Sequence, residues 1–262
     1  MVSDDERIAK HILDEVGLMI RDIPVDSTPP EMAELIHTTI RTVSGSDDPY
    51  RAIKQTCTEQ ALALYPTLKK IVRQSDDSLY TALKIAVAGN IIDYGFHSEF
   101  DMEQEVENVL STDFAVDDYD LLKDRISQSD RILYIGDNAG ETVFDRVLIE
   151  EINKKVAYAV RGKAVLNDVT MEDAVQAGLE DVADLVSSGT GAPGAVLKTC
   201  SEAFRKTFES ARCIISKGQG NYEALSGVPQ PVFFLLKAKC DVIANDIGVE
   251  RGAIVLKAIN VE

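Results

Sequence analysis

Cysteine and histidine, the side chains that most often build disulfide frameworks or transition-metal sites, are scarce in this chain. Cys57, Cys200, Cys213 and Cys240 are scattered over 262 residues without a C-x-x-C pair, which argues against a zinc site or a disulfide scaffold. His11, His37 and His97 all fall in the first hundred residues and lack H-E-x-x-H spacing. No window holds the roughly eighteen apolar residues that a membrane span needs. The opening MVSDDERIAKHILDEV is acidic and has no signal-peptide core, so a reducing cytoplasm is the expected setting. Positive charge is also short: 27 Lys and Arg face 44 Asp and Glu, a formal charge of -17. Such a chain repels phosphate backbones and anionic lipid, so neither nucleic acid nor membrane is an expected partner. An anionic substrate then needs a local device: a metal ion, a helix N-terminus or a well-placed Lys.

What is present divides by period. Residues 1–127 read as helices. In DDERIAKHILDEVGLMIRDI, Ile8, Ile12, Val16, Met19 and Ile23 share one helical face. Ser27 and Thr28 are candidate caps before two prolines suited to a first turn. The long run from Asp48 to Gln74 predicts another helix, kinked at Pro66. SLYTALKIAVAGNIIDYG is apolar on most sides and predicts a buried central helix, broken only by Asn90 and Asp93. From about residue 128 the pattern becomes short β-branched runs (RILYIG, KVAYAV, ADLVSS, RCIIS, VFFLLKAK, AIVLK) separated mostly by helical segments. That alternation predicts an α/β fold: a Rossmann-like three-layer sandwich with a mainly parallel sheet over 128–262, preceded by an all-helical half over 1–127.

In such sheets ligands bind beyond the carboxyl ends of the strands. Four loops at that edge combine glycine with polar residues: GDNAGE, RGKAVLND, SSGTGAPG and SKGQGN. Gly189, Gly191 and Gly194 match the G-x-G-x-x-G dinucleotide pattern, yet the next strand ends in Ser216 and Lys217 instead of the acid that holds a ribose. A backbone cradle for one phosphate, at a helix starting near Pro193, is the better expectation, with a plain glycine loop as the alternative. Asp137, Asn138 and Asp168 offer two carboxylates and an amide oxygen, a set suited to Mg²⁺ or Mn²⁺. The same residues would equally serve as helix caps, Asp137 and Asn138 before the helix near Gly140 and Asp168 or Thr170 before the one at Met171. Glu141 would complement a helix dipole, and Lys217 would neutralise a phosphate or simply be solvated.

Taken together, GDNAGETVFDRVLIEEI, RGKAVLNDVTMEDA, SSGTGAPG and SKGQGNYEAL resemble the signature segments of the damage-control phosphatases, the domain-of-unknown-function 89 group. The helical segments DPYRAIKQTCTEQALALYP and ALKIAVAGNIIDYG resemble that family's N-terminal half, so the resemblance spans roughly residues 48–257. It implies a metal-dependent phosphatase acting on small phosphorylated metabolites, sugar phosphates or phosphopantetheine-like compounds. It implies Asp137, Asn138 and Asp168 as ligands of a divalent ion (Mn²⁺, Mg²⁺, Co²⁺ or Ni²⁺). Carried over in the same way, Lys217, Ser188 and Gly189 bind phosphate and Asn90 faces the site; Glu141, beside the phosphate, is the candidate proton donor of the mechanism, not a residue the resemblance supplies. The chain lacks the early cysteine pair of some relatives, so no role of that pair transfers. A covalent aspartyl-phosphate on Asp137 is disfavoured, because Ala139 stands where a D-x-D motif has its second acid. Methyl transfer from S-adenosylmethionine and metabolite binding without turnover are the rival readings. The oligomeric state is not legible.

Overall fold

The computed structural model describes residues 6–91 and 99–261; the side chains of residues 90, 91 and 99–103 lie outside that description. Helices α1 (Glu6–Ile20) and α2 (Pro29–Ser44) are followed by α3 (Arg51–Gln74), α4 (Ser78–Ile91) and α5 (Glu99–Ser111). Strand β1 (Val116–Asp117) and α6 (Tyr119–Ser127) lead into β2 (Arg131–Ile135), α7 (Thr142–Ile152), β3 (Lys155–Val160), α8 (Met171–Gln176) and β4 (Asp184–Ser187). Then come α9 (Glu202–Ser210), β5 (Ile214–Lys217), α10 (Gln219–Leu225), β6 (Val232–Lys237), α11 (Asp241–Ile247) and β7 (Ile254–Ile259). No described helix is long and apolar enough to cross a membrane.

The seven strands form one sheet in the order β1-β7-β6-β5-β2-β3-β4, parallel except for the β6–β7 pair. Period-two alternation feeds two cores. Ile132, Tyr134, Val156 and Tyr158 face a layer built from α3, α4 and α7, with Leu64, Leu83 and Phe144 among its buried residues. Leu133, Ile135, Ala157 and Ala159 face the other layer, where Phe204 and Phe208 of α9 meet Tyr222 of α10 and Ile243 of α11. These are the three layers that the alternation of strands and helices predicts. Helix α4 is the expected buried helix: residues 82–88 are all buried and α7 packs along it. Helix α3 runs unbroken through Pro66, which sits on its exposed side.

Two local expectations differ from the structure. A short edge strand, β1, falls within the stretch predicted to be helical and pairs with β7. Two residues are too few to show a period. The helix expected from Gly194 starts only at Glu202, where the Ser201 hydroxyl caps it by accepting from the Phe204 N–H at 3.2 Å. Residues 194–200 instead form turns, pinned by the Ala195 N–H donating to Asn221 Oδ1 at 2.8 Å.

Candidate active site

The winding runs outward from β2 through β3 to β4, and the chain then returns to β5 on the other side of β2. A crevice is expected where the direction reverses, beyond the tips of β2 and β5. The loops after β2 and β3 are zipped together there. The Ala139 N–H donates to the Asn167 carbonyl and the Val169 N–H to the Asp137 carbonyl, each at 2.8 Å. This isolated antiparallel bridge sets Asn138 directly against Asp168. Asp137, Asn138 and Asp168 therefore meet, and all three line an open cleft of about 280 Å³. Pro29, Pro30 and Ala33 at the start of α2 form part of its wall, and Lys239, just past β6, forms another. Gly218, with φ of +77°, lets the β5 tip pass against Asp137; a Cβ there would overlap the carboxylate. A cavity of about 340 Å³ opens at the opposite edge among residues 128–133 and 207–212, with Asp130 its single carboxylate. It lies at the amino ends of the strands and gathers no ligand set.

The helix-cap reading holds for Thr170 alone: Asp168 does not cap α8, and Asp137 and Asn138 lie ahead of Glu141, the N-cap of α7. Helix α8 is capped by Thr170, whose N–H and hydroxyl both donate to Asp173, at 2.8 and 2.6 Å. Asp168 instead accepts from Arg161 Nε at 2.6 Å. The Asn138 carboxamide donates to Asp137 Oδ2 at 3.3 Å and to Glu141 Oε2 at 3.2 Å.

Charge is out of balance here. Among the described residues, Asp137, Asp168, Glu141 and Asp145 are buried beside the cations Arg161 and Lys217, and Lys239 in the cleft wall also attracts Asp137. The four acids outnumber these three cations. Burial, then Asp168 and Glu141, hold the Asp137 carboxyl well above the ordinary carboxylate range. Burial pushes Asp168 up to about 6 against the pull of Arg161. Among the described residues no group of three or more His, Cys, Asp or Glu is arranged as a metal site. The candidate set is two carboxylates and one amide oxygen, donors suited to a hard divalent ion.

The other expected residues are placed differently. Lys217 does not line the cleft. Its ammonium is sealed beneath the site, donating to Glu141, to Asp145 Oδ1 at 2.7 Å and to the Ala86 carbonyl at 2.9 Å. Asp145 also accepts from the Tyr134 and Tyr158 hydroxyls, at 2.6 and 2.7 Å. Burial works against the Lys217 ammonium, but Asp145 and Glu141 outweigh it and raise its pKa. Glu141 is fully buried and bonded to that lysine, so neither residue is a phosphate contact in this arrangement. The Ser188–Gly189 cradle is likewise occupied. The Ser188 N–H and hydroxyl both donate to the Val160 carbonyl at 2.8 Å, and the Gly189 N–H to Ser187 Oγ at 3.2 Å. The Gly191 N–H donates to Glu34 Oε1 of α2 at 2.9 Å. Asn90 lies in the last turn of α4 and its side chain is outside the described residues, as is all of Asp93.

Sequence reasoning missed Arg161, Lys239 and Lys54. Arg161 follows β3 in the inspected loop RGKAVLND, so its position was available as a signal. Its side chain is fully buried, its NH2 is 3.7 Å from Asp137 Oδ1, and its two terminal nitrogens have no hydrogen-bond partner among the described residues. Lys239 follows β6 at the same edge, in a loop that carries no glycine to mark it. Lys54 carries no local signal. It is buried on α3 between Asp48 at 2.6 Å and Asp173 at 2.7 Å, and so ties the Asp168 loop to the helical layer.

Comparison with known proteins agrees with this architecture. The model of the damage-control phosphatase ARMT1-like domain matches residues 1–255. A protein of Archaeoglobus fulgidus called damage-control phosphatase is 36% identical, the match covering 99% of this chain and 93% of that protein. Damage-control phosphatase PH1575 of Pyrococcus horikoshii is 37% identical over 91% of this chain and 84% of its own. The crystal structure of a DUF89 family protein from Pyrococcus horikoshii superposes with a TM-score of 0.89 at 35% identity, covering 97% of this chain and 91% of that one. This chain thus belongs to the family of the damage-control phosphatase ARMT1-like domain.

Proposed function

We propose that this protein is a divalent-metal-dependent phosphatase that hydrolyses phosphomonoesters of small metabolites, sugar phosphates or phosphopantetheine-like compounds. The observation that carries the reading is the union of Asp137, Asn138 and Asp168 at one cleft where acids outnumber cations. Asp137, Asn138 and Asp168 would hold the ion. When bound, a cation such as Mn²⁺, Mg²⁺, Co²⁺ or Ni²⁺ supplies Lewis-acid polarisation of a phosphoryl oxygen and a site for the attacking water. Arg161 keeps Asp168 turned through its Nε bond. Lys239, in the cleft wall, takes over the phosphate-neutralising role that the sequence assigned to Lys217. A cleft of about 280 Å³ suits a small polar substrate.

The test is phosphate release from p-nitrophenyl phosphate and a panel of metabolite phosphates, with each of the four metals and with EDTA. Release that depends on metal and stops with chelator is expected. No release from any ester with any metal overturns the reading.

A pH dependence follows. A carboxyl held at about 6 binds its proton more tightly in the folded chain than in the unfolded one. In the metal-free protein its stabilising contribution is therefore present at low pH and lost as pH rises through about 6. The cation competes with that proton. Melting curves with and without Mn²⁺ should show a large stabilisation near about pH 8 that shrinks near about pH 5. Equal shifts at both would show that these carboxylates do not hold the ion.

A further inference from the structure

We infer that Glu141, anchored by Lys217, is a positioning residue that turns the Asn138 carboxamide so that its oxygen is offered to the cleft; the inference rests on the metal reading above. Asn138 has one side-chain acceptor and an NH₂ donor group. The NH₂ nitrogen lies 3.2 Å from Glu141 Oε2 and 3.3 Å from Asp137 Oδ2, and the Glu141 carboxylate, ion-paired to Lys217, only accepts. The donor end must face Glu141, which turns Oδ1 away from it. Glu141 Oε2 also accepts from the Asn138 backbone N–H at 3.4 Å, so both ends of the residue are held by one oxygen.

Glu141 performs this with only half of its carboxylate. Its other oxygen, Oε1, accepts from the Lys217 ammonium, which is fully buried and gripped from the far side by Asp145 and the Ala86 carbonyl. The side chain at 141 thus meets donors on two sides, Lys217 on one and Asn138 on the other. A carboxylate satisfies both. An amide of the same shape has one acceptor and one donor end, so one of its contacts becomes donor against donor. The ammonium has the stronger claim on the single oxygen because its bond is charge-assisted. In Glu141→Gln the new NH₂ therefore faces Asn138 and turns that carboxamide over, presenting nitrogen where oxygen is needed.

The double substitution N138D/E141Q reverses the polarity of the contact and conserves the formal charge. The new amide at 141 keeps its oxygen on Lys217 and donates to the new carboxylate at 138. That carboxylate offers an oxygen to the cleft whichever way it is turned.

Titration calorimetry of Mn²⁺ into metal-free protein reads the effect without turnover. E141Q is expected to bind Mn²⁺ at least about tenfold more weakly than the wild type, and N138D/E141Q to recover most of that loss. Wild-type affinity in E141Q overturns the inference. So does a double variant no better than the single one, because Glu141 would then act on the fold and not through Asn138. If E141Q does not fold, the double variant decides: near-wild-type affinity upholds the inference and weak binding overturns it. Absence of Mn²⁺ binding by the wild type sinks the metal reading itself, a result distinct from these.

Discussion

Lys217→Met is expected to cost about 3–5 kcal/mol of stability at neutral pH, the range for removing one partner of a buried ion pair. The ammonium is the shared counter-charge of two fully buried carboxylates, Glu141 and Asp145. Methionine fills similar volume but removes the cation that both acids share; among the described residues the Tyr134 and Tyr158 hydroxyls still donate to Asp145. Relief would come by protonating Asp145, whose carboxyl burial already pushes up, so the penalty should shrink as pH falls. Urea unfolding at neutral and acidic pH measures this. A loss below about 1 kcal/mol at neutral pH, the scale of an exposed pair, would mean that Lys217 is not the buried keystone described here. The outcome separates two views of one residue. A lysine that only touches substrate leaves a stable, inactive protein when removed, whereas this one leaves an unstable protein.

Asp137→Ala carries the largest expected effect on activity, a fall in metal-dependent phosphate release of about a thousandfold or more. Loss of a ligand removes several kcal/mol of charge stabilisation, and each 1.36 kcal/mol or so is tenfold in rate. The stability effect has the opposite sign to that of Lys217→Met. Burial, Asp168 and Glu141 all oppose ionisation of Asp137, so the metal-free variant should be at least as stable as the metal-free wild type. Mn²⁺ should then no longer raise the variant's melting temperature. Near-full turnover in this variant would remove Asp137 from the site. A protein that is inactive because it is unfolded would contradict the electrostatic account.

The fold was legible to a large degree because its signals are local and repeated. Six β-branched runs became β2 to β7, and the apolar segment after Ser78 became the buried helix α4. Each needs only a period and a hydrophobic count. Where the pattern was too short or was interrupted, the reading slipped. Strand β1 has two residues, and the turns of 194–200 are held by Asn221, a residue some twenty-six positions away.

The site divides along the same line. Residue type and place at a strand tip were enough to single out Asp137, Asn138 and Asp168, because parallel strands put their carboxyl ends on one edge and adjacent strands put their loops side by side. Partnership was not written there. Lys217 stands at the tip of β5 as a phosphate-binding lysine would, yet its ammonium meets the Ala86 carbonyl, Glu141 and Asp145. Glu34 on α2 and Lys54 on α3, both from the helical half, occupy a glycine-loop N–H and brace the cap of α8. A side chain's local sequence sets what it can donate or accept. Which acceptor lies within about 3 Å of it is decided by packing between segments far apart in the chain, and in this protein that packing separates a substrate contact from a buried support.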